Sequence, residues 1–104
     1  MAQRVYFLNT LHPGADPAAY EEWIRRVDYP IARAQGVILR YDVTRLDGTL
    51  SGEGEPSVQY LEVIEIADLD EYRGLVGKPE FEQLLREWSG FVATTEAVHG
   101  TVIE

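Results

Sequence analysis

The chain has 104 residues, with 9 basic and 18 acidic side chains and a net charge of −9 at pH 7. This length predicts a single domain, residues 1–104, because two domains of half the size would each lack an adequate core. An acidic chain lacks the basic surface that phosphate groups require, so nucleic acids and anionic membranes are excluded as expected partners.

The absence of cysteine removes disulfides, thiolate nucleophiles and cysteine-based metal centres from consideration. No apolar run approaches the ~18 residues that a membrane span needs. The first residues lead directly into a strand-like segment and show no secretory leader pattern. We therefore expect a cytoplasmic protein.

The N-terminal part predicts a strand followed by an interrupted helix. Residues 4–11 are rich in β-formers and predict the first strand. Asp16-Pro17 predicts a helix start, because Asp caps free backbone N–H groups and Pro suits the first helical position. Pro30 lacks a backbone donor, so we expect a kink or break near residues 28–29.

Two strands follow, joined by a long polar loop. Residues 37–46 and 57–66 predict strands, while Asp47-Gly48 and the Gly-rich segment after it predict the loop. In the first of these strands, Arg40 shares one face with Asp42, and the opposite face is apolar.

The C-terminal part predicts two helices and a last strand. The segment starting at Asp68 resembles a capping box and predicts a short helix that ends before Pro79. Pro79 begins a second helix with an apolar stripe, which Ser89-Gly90 is expected to close. Residues 97–103 predict the last strand.

The resulting element order is β-α-β-β-α-β. This order is typical of the ferredoxin-like α+β fold, an antiparallel four-stranded sheet with both helical segments on one face. The other face carries apolar residues on several strands and has no cover within the chain. Soluble monomers rarely expose such a surface, so we expect a homodimer in which two sheets pack into a dimeric α+β barrel.

Three residues are candidates for catalysis. His99, in the last strand, is a candidate general base or proton shuttle. Alternatively, it lies at a sheet edge or in the core and has no chemical role. Asp28 either caps the helical piece after the break or lines a cavity. Arg40 either pairs with Asp42 or Glu62 as structural support, or anchors a ligand and stabilises negative charge in an apolar pocket.

Five residues are candidates for contact with a ligand. Trp23 and Trp88 lie on helical apolar stripes, where they either belong to the core or stack against an aromatic ligand. Tyr29 and Tyr60 could also stack against such a ligand. Glu62 interrupts an otherwise apolar strand face. No metal-ligand spacing, phosphate-binding loop, dinucleotide fingerprint or serine nucleophile elbow is present, so neither a metal nor a cofactor is expected.

Four segments carry a family resemblance: residues 20–30, 37–45, 60–70 and 81–88. The most distinctive part is Trp23 followed by Asp28-Tyr29-Pro30. On these segments the chain resembles the RedY-like (HapK-like) proteins of the dimeric α+β barrel superfamily.

The resemblance implies a small homodimer of secondary metabolism. It would act without a cofactor on an aromatic or heteroaromatic intermediate, as in pyrrole and bisindole pigment pathways, by cyclisation or isomerisation through proton transfer.

The wider superfamily includes cofactor-free monooxygenases, lactone isomerases and haem-degrading enzymes. Asn9 on the first strand matches the haem-degrading relatives, but the second helix has no histidine to bind iron, which disfavours haem. Cofactor-free oxygenation, non-catalytic binding of an aromatic metabolite and a structural dimer with a filled interior stay open as alternatives.

Overall fold

The computed structural model describes residues 1–104 and contains four strands, four α-helices and one π-helical turn. In chain order these are β1 (Gln3–Leu11), α1 (Pro17–Trp23), the π turn (Ile24–Asp28), α2 (Tyr29–Arg33), β2 (Ile38–Arg45), β3 (Tyr60–Ile66), α3 (Leu69–Val76), α4 (Pro79–Phe91) and β4 (Val92–Thr101). The predicted βαββαβ order is confirmed. None of the helices has the length and apolar character needed to cross a membrane.

The four strands form one sheet in the order β2-β3-β1-β4, and every neighbouring pair is antiparallel. Along β3 every second residue is buried, which shows that one sheet face is covered. The cover consists of α2, α3 and α4, whose Ala32, Leu75 and Leu84 pack with the strand residues Val5 and Ile64 in the main core. The chain therefore has a covered face and an open face.

Two predicted boundaries were wrong. β4 begins at Val92 rather than residue 97 because it pairs with almost the whole of β1, although residues 92–96 lack a clear alternating pattern. α4 continues through Gly90 to Phe91, so Ser89-Gly90 does not close it. The helix and strand are thus directly connected, and α4 ends against the sheet edge.

The first helical segment accommodates Pro30 without breaking. The backbone N–H of Tyr29 donates to the carbonyl of Ile24, five residues earlier, and this wide π turn replaces the expected break. A π turn inserts one extra residue into the helix, and such turns are frequent at functional sites. As a result Asp28, the last residue of the turn, is buried and faces the sheet.

The open face has an apolar centre flanked by charged residues. Cross-strand register places five apolar side chains together on it: Tyr6, Leu8, Leu61, Val63 and Val98. Two ion pairs lie beside them, Arg4 with Glu65 at 3.6 Å and Arg40 with Asp42 at 2.9 Å. Nothing in the chain covers this face.

Candidate active site

A cavity of about 260 Å³ lies between the covered face of the sheet and the helices. Its wall is mostly apolar and includes six aromatic side chains: Phe7, Trp23, Tyr41, Tyr72, Phe81 and Trp88. The ionisable side chains at the wall, apart from the tyrosines, are the carboxyls of Asp28 and Glu62. A mostly apolar cavity with a few converging polar groups is the usual form of a small-molecule site.

The π turn places Asp28 at this cavity. Its side chain makes no cap hydrogen bond to the helix, so the capping alternative is wrong. Instead, Oδ2 is hydrogen-bonded to the hydroxyl of Tyr41 on β2 at 2.5 Å. Burial raises the pKa of Asp28 to about 7; the Tyr41 hydrogen bond opposes this effect, and the nearby charge of Glu62 adds to it.

Glu62 lies at the middle of β3 and is only 6% exposed. Its Oε1 is 2.8 Å from the Tyr41 hydroxyl, and its Oε2 accepts hydrogen bonds from the indole N–H of Trp88, at 3.2 Å, and from the side-chain amide of Asn9. Burial raises the pKa of the Glu62 carboxyl, while these hydrogen bonds act in the opposite direction. The donors therefore stabilise a charge that the apolar surroundings disfavour.

Asn9 orients the Glu62 carboxyl from the neighbouring strand. It is fully buried on β1, and its Oδ1 accepts a hydrogen bond from the Thr95 hydroxyl at 2.6 Å, which leaves Nδ2 directed at Glu62. The sequence singled out Asn9 only through the comparison with haem-degrading proteins. An asparagine within an apolar strand was the available signal, since a buried amide requires partners on both of its ends.

Both tryptophans of the sequence line the cavity. The Trp23 indole N–H donates to Glu87 at 2.9 Å, and the Trp88 ring meets Phe7 edge to face, with ring centroids 6.2 Å apart. Their indole N–H groups are thus held by protein partners while both side chains line the cavity, an arrangement that suits an aromatic ligand.

Tyr29 and Tyr60 lie elsewhere. The Tyr29 hydroxyl accepts a hydrogen bond from the backbone N–H of Val43 at 2.8 Å, and the Tyr60 hydroxyl donates to Glu21 at 2.7 Å. Both residues line a separate, smaller pocket of about 100 Å³ beside Arg45. The structure does not bring them to the main cavity.

The other two candidate catalytic residues also lie away from the cavity. His99 is exposed on β4, opposite Val5, at the sheet edge that the helices do not cover. Arg40 is on the open face and pairs with Asp42, as one of the two expected pairings predicted. The alternative pairing of Arg40 with Glu62 is wrong, because Glu62 projects from the covered face.

The cavity can give and take protons. No group of three or more His, Asp or Glu side chains is arranged to hold a metal ion. The polar groups that converge are two carboxyls and a phenol, with the Asn9 amide and the Trp88 indole as fixed hydrogen-bond donors. Such groups act as acids, bases and stabilisers of developing charge.

These features define the class of protein. An antiparallel four-stranded sheet with helices on one face is the ferredoxin-like architecture of the dimeric α+β barrel proteins. Within that class, the family model described as "REDY-like protein HapK" matches residues 3–103. The chain therefore belongs to the RedY-like HapK family, as its sequence segments indicated.

Solved structures of similar fold include HapK from Hahella chejuensis, with 24% identity and a TM-score of 0.80 over 97% of this chain and 92% of that one. A dimeric ferredoxin-like protein of unknown function from Thermobifida fusca has 19% identity and a TM-score of 0.73, with coverages of 98% and 92%. SnoaB, a cofactor-independent oxygenase from Streptomyces nogalater, has 18% identity and a TM-score of 0.74, with coverages of 100% and 96%. At these identities the structural likeness shows the fold alone. No protein of curated function matches the chain significantly.

Proposed function

We propose that the protein binds a small aromatic or heteroaromatic biosynthetic intermediate in the cavity and isomerises or cyclises it by proton transfer, without a cofactor. The observation that carries this proposal is the buried Asp28 carboxyl at the wall of an aromatic-lined cavity. Its pKa, raised to about 7, leaves the carboxyl able to give or take a proton at neutral pH.

The cavity volume limits the size of the ligand. A cavity of about 150 Å³ in another protein holds benzene, and about 260 Å³ therefore suits one ring or two fused rings. The volume is just below the ~300 Å³ at which ordinary ligand pockets begin. A bisindole would have to extend out of the cavity, so a smaller heteroaromatic molecule, or one end of a longer molecule, is the better fit.

A homodimer is part of the proposal. The open face has an apolar centre that a second copy would cover, and the Thermobifida fusca relative is described as dimeric. Arg40 would then lie at the dimer interface rather than at the reacting atoms. A cytoplasmic location and a role in secondary metabolism stay predictions.

A second candidate function is binding without catalysis. Every buried side-chain N or O atom already has a hydrogen-bond partner within the protein, so none of these atoms needs a hydrogen bond from a ligand. A module that stores or presents an aromatic metabolite would need no more than the apolar cavity. A cofactor-free oxygenase, like SnoaB in fold, would differ from both because it would consume dioxygen with the ligand bound.

Binding is tested first with indole as the probe, alongside mass spectrometry of small molecules that co-purify with the protein. Ala32→Leu fills space at the cavity wall, whereas Ala34→Leu adds the same side chain at an exposed position next to the same helix. We expect indole to bind the wild type and Ala34→Leu alike, with affinity at least tenfold lower in Ala32→Leu. Equal affinity in all three would contradict binding in this cavity.

Catalysis is tested with Asp28→Asn and the co-purifying molecule. Loss of turnover with retained binding supports proton transfer by Asp28. Retained binding with no turnover in the wild type favours the binding module, and ligand-dependent uptake of dioxygen favours the oxygenase.

A further inference from the structure

The hydroxyl of Tyr41 lies between two carboxyls. Its oxygen is 2.5 Å from Asp28 Oδ2 and 2.8 Å from Glu62 Oε1, and both are hydrogen-bond distances. A phenol has a single hydrogen and can donate it to only one of these oxygens. The second short contact therefore needs a hydrogen that belongs to a carboxyl, so the arrangement contains at least one protonated carboxyl.

The partners of Glu62 indicate which carboxyl holds that hydrogen. The indole N–H of Trp88 can only donate, and it points at Glu62 Oε2 together with the Asn9 amide. If Tyr41 also donates to Oε1, Glu62 receives three hydrogen bonds, which favour its charged form. Asp28 has no other side-chain or backbone donor. The hydrogen thus belongs on Asp28 and the negative charge on Glu62.

We propose that Asp28, Tyr41 and Glu62 form one proton-sharing unit, in which Asp28 is an acid, Glu62 is a base and Tyr41 returns the proton from Glu62 to Asp28. The catalytic part of this inference rests on the proposed function, because both carboxyls border the cavity where the ligand would lie.

The unit closes a complete proton cycle. Glu62 takes a proton from one position of the ligand, and Asp28 gives its own proton to a second position, which leaves an isomer of the ligand, a protonated Glu62 and a charged Asp28. Glu62 then passes its proton to the Tyr41 oxygen as the original phenolic hydrogen moves to Asp28. The starting state returns without an oxidant, a reductant or exchange with water. The fitting substrates are those that isomerise by losing and gaining one proton at two positions, such as a ring conjugated with a carbonyl or an imine.

The surroundings limit the unit to one negative charge. The ionisable groups facing it are Tyr20 from α1, Arg33 from α2 and Tyr72 from α3, while α4 contributes the indole of Trp88. Burial raises the pKa of Tyr20 and of Tyr72 above the usual range, so both phenols are neutral. Arg33 is about half exposed and pairs with Asp42 at 3.3 Å. With no buried cation beside them, two neighbouring carboxyls cannot both ionise at low cost.

The inference is tested without any ligand, by carboxyl ¹³C NMR of the full chain labelled at Asp and Glu and titrated with pH. Signals are assigned with Asp28→Asn and Glu62→Gln. At neutral pH we expect the proton of the pair to be on Asp28 and the negative charge on Glu62, with the two titrations coupled. In Tyr41→Phe, which removes the shared donor, we expect both carboxyls to hold protons at neutral pH. Tyr29→Phe is the matched control, since the Tyr29 hydroxyl contacts neither carboxyl, and it should titrate like the wild type.

In the wild type at neutral pH, two ionised carboxyls, two protonated carboxyls, or a proton on Glu62 with Asp28 ionised would each overturn the inference. An unchanged titration in Tyr41→Phe would overturn it as well. If Tyr41→Phe fails to fold, the pKa of Asp28 is measured in Glu62→Gln instead. In that variant Tyr41 would donate its hydrogen to Asp28, so the pKa of Asp28 should fall below its wild-type value. An unchanged Asp28 titration in that variant would also overturn the inference. None of these outcomes bears on indole binding, so failure of the proton-sharing unit and failure of the proposed function are distinguishable.

Discussion

The indole N–H of Trp88 donates to Glu62 Oε2 at 3.2 Å, which ties α4 to the middle of the sheet. This bond links the last helix to the buried carboxyl and holds one aromatic wall of the cavity in place. Stability and ionisation are therefore coupled at this contact, because a hydrogen bond to a charged group is stronger than one to a neutral group.

Trp88→Phe should reveal this coupling. The substitution keeps an aromatic ring but removes the donor, so we expect the free energy of unfolding at pH 7 to fall by about 2 kcal/mol, near the usual contribution of a hydrogen bond to a charged group. Trp23→Phe, which loses a hydrogen bond to the half-buried Glu87 side chain on α4, should lose clearly less stability. Urea unfolding of both variants measures the difference, and equal losses would argue against a charged Glu62.

Asp28→Asn should change how stability depends on pH. Because the folded-state pKa of Asp28 is raised from 3.8 to about 7, the folded state binds this proton more tightly than the unfolded state does. The resulting stabilisation is complete below about pH 4 and is lost as the pH rises towards 7. We therefore expect the stability of Asp28→Asn relative to the wild type to increase across that interval, by up to about 4 kcal/mol.

Urea unfolding at pH 4.0 and pH 8.0 checks this sign, with the pH values chosen at about the ends of the interval. Asp70→Asn, at an exposed position of α3, is the control, and its difference from the wild type should stay within about 0.5 kcal/mol. A relative stability of Asp28→Asn that decreases with pH would contradict a raised pKa.

The order of the elements could be predicted from the sequence, but the π turn before Pro30 could not. The two central strand segments and the helix start at Asp16 are local signals, and the structure confirms these elements. Pro30 correctly predicted where the first helical segment departs from regular α-helix. The π turn that absorbs it depends on the hydrogen bond from Tyr29 to Ile24, five residues apart, and no propensity rule specifies that choice.

The candidate site was predicted in part. Asp28 stood out because of its place at the expected helix break and Glu62 because it interrupts an apolar strand face, and the structure brings both to the cavity. Tyr41 did not stand out, because a tyrosine on a strand is an ordinary core residue until its hydroxyl partners are known. His99 and Arg40 were chosen for their chemistry, but only the strand order shows that one lies at an uncovered edge and the other on the open face.

The open face should be the dimer interface. Val63→Lys places a charge at the apolar centre of this face, and burying an unpaired charge in an interface is costly. We expect the wild type to migrate at twice its 11.8 kDa mass at micromolar concentration and Val63→Lys to migrate as a folded monomer. Leu50→Lys, in an exposed loop, should remain dimeric. Size-exclusion chromatography with light scattering measures the mass, and a monomeric wild type would contradict the proposed assembly.

His99→Ala and Arg40→Ala test whether catalysis is confined to the cavity. His99 is exposed at the edge of β4, and the Arg40 guanidinium is engaged with Asp42 on the open face, so neither reaches the ligand of its own subunit. With the co-purifying molecule as substrate, we expect both variants to retain kcat within about twofold, whereas Asp28→Asn loses the 10²–10⁴-fold that a positioned acid or base typically contributes. A large loss of kcat in His99→Ala, with the dimer intact, would instead mean that the reacting atoms lie at the sheet edge and that the helix-covered cavity is not the catalytic site.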